Sequence, residues 1–298
     1  MTLERPSPPL AFIPQASRAG GLLLILLLIA VSRVTAAQVA APALTYEVLA
    51  TRPHDSKSFT QGLVLNGKLM TESSGLYGKS FLMQYDVETG AVMRRIGLPR
   101  QYFAEGLTEF NGHFYLLTWK AGLAMVFDAR SLQQVTTLAY QGEGWGLTHN
   151  GEHLITSDGS DTLSLRRPQD FSVVRTLQVK EGEKVWHQLN ELEFAEDLIW
   201  ANVWQAPVIL AIDPASGEVK GKANFSELTR PNNTHPGQSV LNGIAYDPEQ
   251  RAYWITGKWW ANRYLVRFRW PQPVSAPDTA SVHLPSPESP AIPPANGR

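Results

Sequence analysis

A three-residue core recurs five times along this 298-residue chain and constrains its fold more than any other feature. The copies are Gln61-Gly62-Leu63, Glu105-Gly106-Leu107, Trp145-Gly146-Leu147, Asn190-Glu191-Leu192 and Asn242-Gly243-Ile244, at intervals of 40 to 52 residues. Repetition every ~40–50 residues marks a propeller or a solenoid. Each copy opens an apolar stretch that ends in a turn: Asn66-Gly67, Asn111-Gly112, Asn150-Gly151 and, less clearly, Ala195-Glu196-Asp197. Asn-Gly between apolar runs is a strong hairpin signal, because both residues tolerate positive φ. A second apolar run follows (residues 114–118 in the second unit), then a third (123–127). Several third runs enter Asp-initiated turns at residues 86–90, 128–130 and 213–217. A fourth run, such as 91–96 or 173–177, completes the unit, and no segment carries a 3.6-residue apolar period. The chain therefore reads as all-β, a five-bladed β-propeller of four-stranded antiparallel blades. Residues 45–49 are expected to form the outer strand of the last blade, closing the ring and covering its edge.

Three regions differ in composition. Residues 1–37 carry Glu4, Arg5 and Arg18, an apolar run over 22–31 and the small-residue stretch Val34-Thr35-Ala36-Ala37. That order describes a secretory signal peptide, cleaved near Ala36 or Ala37. The run is shorter than the ~20 apolar residues of a membrane-spanning helix, although an uncleaved anchor is the alternative. The propeller is expected over 43–270. A proline-rich tail over 271–298, with Ser and Ala between its prolines, reads as disordered. The exported chain is expected to be periplasmic or secreted, with no stable membrane association after cleavage. It contains no Cys, which excludes disulfides, thiolate metal sites and a Cys nucleophile. A net charge of −1 with dispersed Lys and Arg gives no footprint for nucleic acid. The reading is a monomer.

The first position of the repeat is where function is expected. If the first strand of each blade lines the central channel, Gln61, Glu105, Trp145, Asn190 and Asn242 face one mouth, and the adjoining Gly lets backbones crowd the axis. Singly, Gln61, Asn190 and Asn242 read equally well as strand caps, and Trp145 as core. Jointly they are harder to dismiss. The second strands end near the same mouth with Glu72-Ser73-Ser74, Trp119-Lys120, Ser157-Asp158, Asn202-Val203-Trp204 and Gly257-Lys258-Trp259-Trp260. An aromatic pocket with a carboxylate, an ammonium and several amides is a usual small-molecule site.

In several motifs the sequence resembles the plant and bacterial glutaminyl-peptide cyclotransferases (glutamine cyclotransferases). They are Pro53-His54-Asp55 with Phe59-Thr60-Gln61-Gly62-Leu63, Glu72-Ser73-Ser74-Gly75-Leu76-Tyr77-Gly78-Lys79-Ser80, and Tyr102-Phe103-Ala104-Glu105-Gly106. Further along come Leu117-Thr118-Trp119, Glu143-Gly144-Trp145-Gly146-Leu147-Thr148, Leu189-Asn190-Glu191-Leu192-Glu193, Ala201-Asn202-Val203-Trp204, Val240-Leu241-Asn242-Gly243-Ile244 and Thr256-Gly257-Lys258. The resemblance covers roughly residues 53–269. It implies a metal-free, cofactor-free enzyme that converts the N-terminal Gln of peptides or proteins to pyroglutamate and releases ammonia. The family's essential glutamate matches Glu105. Its other pocket residues match Phe59, Gln61, Phe103, Trp119, Trp145, Asn190, Trp204 and Lys258. Ala104 stands where many relatives have Gly, and Arg166-Arg167-Pro168 replaces an acidic turn.

The chemistry needs few groups. A peptide α-amine, with a pKa of about 7.7–8.0, must lose a proton before it attacks, and the amide nitrogen must gain one before it leaves. One carboxyl relaying a proton does both, which assigns Glu105. Lys258, or the amides of Gln61 and Asn190, would hydrogen-bond the developing oxyanion. Catalytic roles are thus expected for Glu105, Lys258 and Asn190, and substrate contacts for Gln61, Phe59, Phe103, Trp119, Trp145, Trp204 and Asn242. The first rival is a Ca²⁺-dependent, lactonase-like propeller hydrolase using Glu105, Asn190 and Asn242 as oxygen ligands. The second is a non-catalytic binding propeller. His54-Asp55 reads as a turn cap rather than a catalytic dyad.

Overall fold

The computed structural model describes residues 40–272. The leader expected over 1–37, and all but the first two residues of the tail expected over 271–298, lie outside the described residues. Strand β1 (Ala43–Pro53) opens the fold. Next, β2 (Thr60–Asn66), β3 (Leu69–Ser74), β4 (Phe81–Asp86) and β5 (Val92–Gly97) form a four-stranded antiparallel sheet in chain order. The same pattern repeats in β6 (Ala104–Phe110), β7 (His113–Thr118), β8 (Leu123–Asp128) and β9 (Gln134–Ala139). It repeats again in β10 (Leu147–His149), β11 (Leu154–Thr156), β12 (Thr162–Arg166) and β13 (Val173–Gln178). A short hairpin follows, β14 (Lys180–Glu181) with β15 (Lys184–Val185). The run β16 (Leu189–Ala195), β17 (Leu198–Val203), β18 (Val208–Ile212) and β19 (Val219–Asn224) precedes helix α1 (Ser226–Asn232). Last come β20 (Leu241–Asp247), β21 (Ala252–Gly257) and β22 (Asn262–Arg269). These last two runs join through β1 into one eight-stranded sheet, ordered β16-β17-β18-β19-β1-β22-β21-β20. Among the described residues the protein is all-β apart from α1, built on four-stranded antiparallel units as a propeller is.

Strand β1 does what the sequence predicts, and more. It runs antiparallel along β22, from Thr45 opposite Arg269 to Pro53 opposite Asn262. Ahead of that, Ala43 and Leu44 pair in parallel with Lys222 and Ala223 of β19. Helix α1 interrupts a body that the sequence reads as strands throughout. At seven residues it is too short for an apolar period to register. Its buried residue is the polar Asn232, whose Nδ2 donates to Leu228 O and to the Tyr264 hydroxyl.

The first strand of each run packs against other first strands: β2 against β6 and β20, β6 against β10, β10 against β16, and β16 against β20. The apolar core lies between runs. Met83, Tyr85 and Leu63 pack with Trp254 and Leu265, while Phe110, Tyr115 and Val126 pack with Leu147, Leu154 and Phe171. The repeat glycine is needed because the first strands approach closely. A Cβ on Gly106 would lie 2.5 Å from Leu147 N, and one on Gly146 would overlap the carbonyl of Asn190. Polar side chains of the second strands reach across to the neighbouring first strand. Ser73 Oγ donates to Glu105 O at 2.6 Å, and Ser157 Oγ to Asn190 O at 2.7 Å. Asn202 Oδ1 accepts from Gly243 N at 2.9 Å. Buried hydroxyls and an amide therefore set the height of the first strands relative to one another, although Asn202 Nδ2 itself finds no partner among the described residues.

The Asp turns behave as read. Asp86, Asp128 and Asp213 each accept from two backbone N–H groups two and three residues on, and from the Thr89, Ser131 or Ser216 hydroxyl. These bonds hold all three carboxyls below the usual range.

Candidate active site

The first-strand side chains converge. A cavity of about 270 Å³ is lined by Phe59, Gln61, Phe103, Glu105, Trp119, Trp145, Asn190, Trp204 and Lys258. Nine of the ten expected site residues therefore meet in one place. The tenth, Asn242, lies fully buried behind the wall. Its Nδ2 donates to Thr60 O at 2.9 Å and to Gln61 Oε1 at 3.2 Å. That second bond fixes which end of the Gln61 amide points where: Gln61 Nε2 then donates to Glu105 Oε1 at 3.0 Å. The chain Asn242 to Gln61 to Glu105 sets the carboxyl's orientation with neutral donors.

Glu105 is 5% exposed. Burial pushes its pKa well above the usual carboxylate range; the Lys258 charge pulls it back and the Glu143 charge adds to the rise. Lys258, also 5% exposed, follows β21 in a tight turn, with its N–H donating to Val240 O at 2.9 Å. Its Nζ lies 4.7 Å from the centre of the Phe59 ring, a cation–π distance. Burial lowers its pKa to about 8, against the opposing pull of Glu105. An acid and a base that ordinarily sit far apart on the pH scale are thus brought towards each other. Asn190 Oδ1 is buried and accepts no hydrogen bond from the described residues.

The walls are aromatic and mutually braced. Trp145 meets Trp204 edge to face, with centroids 5.6 Å apart and planes at 87°. Phe103 packs edge-on against Phe59 at 6.1 Å and Trp119 at 5.4 Å. Trp145 sits differently from expectation: β10 begins at Leu147, and the residue is held instead by Trp145 N donating to Ser157 O at 3.0 Å. Glu143 is not among the expected site residues, although it opens the motif Glu143-Gly144-Trp145-Gly146-Leu147-Thr148 that carries the family resemblance. Its Oε2 accepts from Trp119 Nε1 at 2.7 Å and from Trp145 Nε1 at 3.0 Å. Outside the cavity, Tyr77 is exposed and packs on Phe103 at 5.4 Å, and Trp259 packs on Phe59 at 4.8 Å.

His54 and Asp55 divide the role read for them. Asp55 caps the turn through Lys57 N at 3.0 Å. His54 is instead buried: Nε2 meets Glu72 Oε2 at 3.0 Å and Nδ1 meets Trp260 O at 2.9 Å. Glu72, expected at the mouth, is likewise wholly buried, and Thr60 Oγ1 donates to its other oxygen at 2.8 Å.

Comparison with known proteins finds glutamine cyclotransferases in sequence and in fold. The family model for glutamine cyclotransferase matches residues 22–268. The chain is 37% identical over 227 residues to a glutaminyl-peptide cyclotransferase of Arabidopsis thaliana, covering 75% of this chain and 71% of that protein. The crystal structure of Myxococcus xanthus glutaminyl cyclase matches with a TM-score of 0.72 and 35% identity, over 76% of this chain and 98% of that one.

Proposed function

The chain belongs to the glutamine cyclotransferase family, and from that premise we propose how its pocket closes an N-terminal glutamine into pyroglutamate. The observation that carries the reading is the buried Glu105 carboxyl, raised in pKa, oriented by Gln61 and set near the cation of Lys258 inside an aromatic cavity. The substrate's α-amine attacks its own side-chain carbonyl carbon. A new C–N bond closes a five-membered lactam, the bond to the side-chain nitrogen breaks, and ammonia leaves. Glu105 takes the proton from the attacking amine and delivers it to the departing nitrogen. A carboxyl whose pKa is raised exchanges a proton with an amine of pKa about 7.7–8.0 more evenly than an ordinary carboxylate would. Lys258 faces the carbonyl oxygen as charge gathers on it, and its buried ammonium counts for more there than in water. Asn190 Oδ1 accepts from the substrate's amine or amide N–H. The tryptophan walls fold the glutamine side chain back on itself, a proximity effect.

No metal enters this scheme, because a cation beside Glu105 would have to share the pocket with Lys258. The support for five blades is the closed order in which β2, β6, β10, β16 and β20 pack, with β1 supplying the fourth strand of the last blade. Residues 1–37 support export of the enzyme.

The test is ammonia release from a Gln-initiated dipeptide, with and without EDTA. Turnover persists in EDTA, and Glu105→Gln lowers it by about 10²–10⁴ while the chain stays folded. No ammonia above background sinks the reading. Near-wild-type turnover in the variant removes Glu105 from the chemistry, and loss of activity in EDTA restores the Ca²⁺ hydrolase alternative.

A further inference from the structure

We propose that Glu143 is a positioning residue for this site: one of its carboxylate oxygens holds both the Trp119 and the Trp145 indole N–H, fixing these two wall residues relative to each other. The inference rests on the cyclase reading above for its catalytic consequence, but not for its geometry. Trp119 follows β7 and Trp145 precedes β10, so the two indoles come from different sheets. Their loops share the backbone bond from Gly144 N to Trp119 O, but the side chains are joined by Glu143 Oε2, at 2.7 Å from one indole nitrogen and 3.0 Å from the other. An indole N–H is a donor only, and a charged acceptor roughly doubles the strength of the bond. The carboxylate is itself held. Gly144 N, next in the chain, donates to Trp119 O at 3.0 Å, and Lys120 Nζ lies 3.5 Å from Glu143 Oε1. Lys120 also sits 4.1 Å over the Trp119 ring. The Lys120 contact alone is an exposed pair of little value. The two indole bonds are what give Glu143 a function at the site.

Glu143 also acts at a distance. The charged groups that face Glu105 are Lys258 from the turn after β21 and Glu143 from the loop before β10, with the phenol of Tyr140 nearby. Desolvation works against the Glu143 charge, but its indole bonds and Lys120 outweigh that and keep the carboxyl ionised below its ordinary pKa. Its negative charge adds to the rise at Glu105. Geometry and charge can be separated, because a glutamine at 143 keeps a carbonyl oxygen able to accept from both indoles and loses only the charge.

The experiment compares the full chain with Glu143→Ala and Glu143→Gln, using a Gln-initiated dipeptide and the indole N–H resonances of ¹⁵N-labelled protein. Of the nine tryptophans, two resonances move in Glu143→Ala. Trp119→Phe and Trp145→Phe spectra identify them. The Michaelis constant of Glu143→Ala rises about tenfold, as expected when two charge-assisted hydrogen bonds are lost, and kcat changes less. Glu143→Gln brings the Michaelis constant back to within about twofold, yet the limb of kcat/KM that belongs to Glu105 moves to lower pH. Unmoved indole resonances in Glu143→Ala overturn the proposal, as do equal Michaelis constants in Glu143→Ala and wild type. Should Glu143→Ala fail to fold, Glu143→Gln decides: Trp119 and Trp145 indole resonances that stay in place when the charged acceptor is lost overturn the proposal. A wild-type chain that releases no ammonia sinks the cyclase reading instead, and the indole resonances still report whether Glu143 clamps the walls.

Discussion

Glu105 and Lys258 are each 5% exposed, and burial disfavours the charged form of each. The pair is coupled: Glu105 holds the lysine's pKa up, and Lys258 holds the carboxyl's down. Replacing Lys258 with Met removes the pull on Glu105, so the carboxyl's pKa climbs further. The acid limb of kcat/KM should then move to higher pH, and turnover should fall by about 10²–10³ through loss of oxyanion stabilisation. A pH profile that stays put, with unchanged kinetics, would take Lys258 out of the site. Most of this was readable beforehand. A repeat whose glycine is structural leaves its first position free to vary, and aligning the copies lines up Gln61, Glu105, Trp145 and Asn190 at one mouth. Asn242 obeys the same alignment yet points behind Gln61, and no spacing rule distinguishes facing the cavity from backing it. Glu143 escaped because its role depends on two indoles from different sheets, a distance in space that sequence separation does not encode.

At the scale of elements, the loop between β1 and β2 carries Phe59, and the turn after β21 carries Lys258. One buried pair ties them together. His54 and Glu72 have side chains 1% and 0% exposed, and the imidazole's other nitrogen bonds Trp260 O. Desolvation opposes the charge on His54, but Glu72 and the Trp260 carbonyl outweigh it, and the pKa ends above the ordinary 6.5. A pKa raised on folding stabilises the charged form. That stability is full below pH 6.5 and is lost as pH rises through the folded value. His54→Ala should cost about 3–5 kcal/mol in denaturant unfolding, because Glu72 is left as an unpaired buried charge. It should also flatten the fall in stability above neutral pH. A variant with wild-type stability at pH 6 would show that the pair is not holding these loops. The sequence signalled a turn at Pro53-His54-Asp55, and Asp55 does cap one. It could not signal that His54 turns inward, because its partner lies on β3 and its carbonyl contact lies 206 residues away.

At the scale of the whole molecule, the four-strand unit and its turns were legible from the Asn-Gly and Asp-initiated turn signals, since both are local and recur along the chain. Helix α1 and the β14–β15 hairpin were not, because each is a single short insertion that the period does not contain. The closing strand was legible in outline, from an apolar segment left over ahead of the first repeat. Its second pairing was not: Ala43 and Leu44 lie parallel to β19, and Leu44 is buried beside Ala223 and Phe225. β1 thus sits between the last two runs and covers the edges of both β19 and β22. Those edges would otherwise offer unpaired N–H and C=O groups to other chains. A chain beginning at residue 54 should therefore lose cooperativity as well as stability. Its melting temperature should fall by about 10 °C or more, for the loss of several kcal/mol in a domain of this size. Calorimetry should show a broadened transition, and light scattering should show association through the bared edges. Adding residues 40–53 back as a separate peptide should restore the single transition, because the strand acts by pairing and not by linkage. A truncated chain that melts as sharply and as high as the full one would mean that the ring closes without β1, and the five-blade proposal would lose the fourth strand of its last blade.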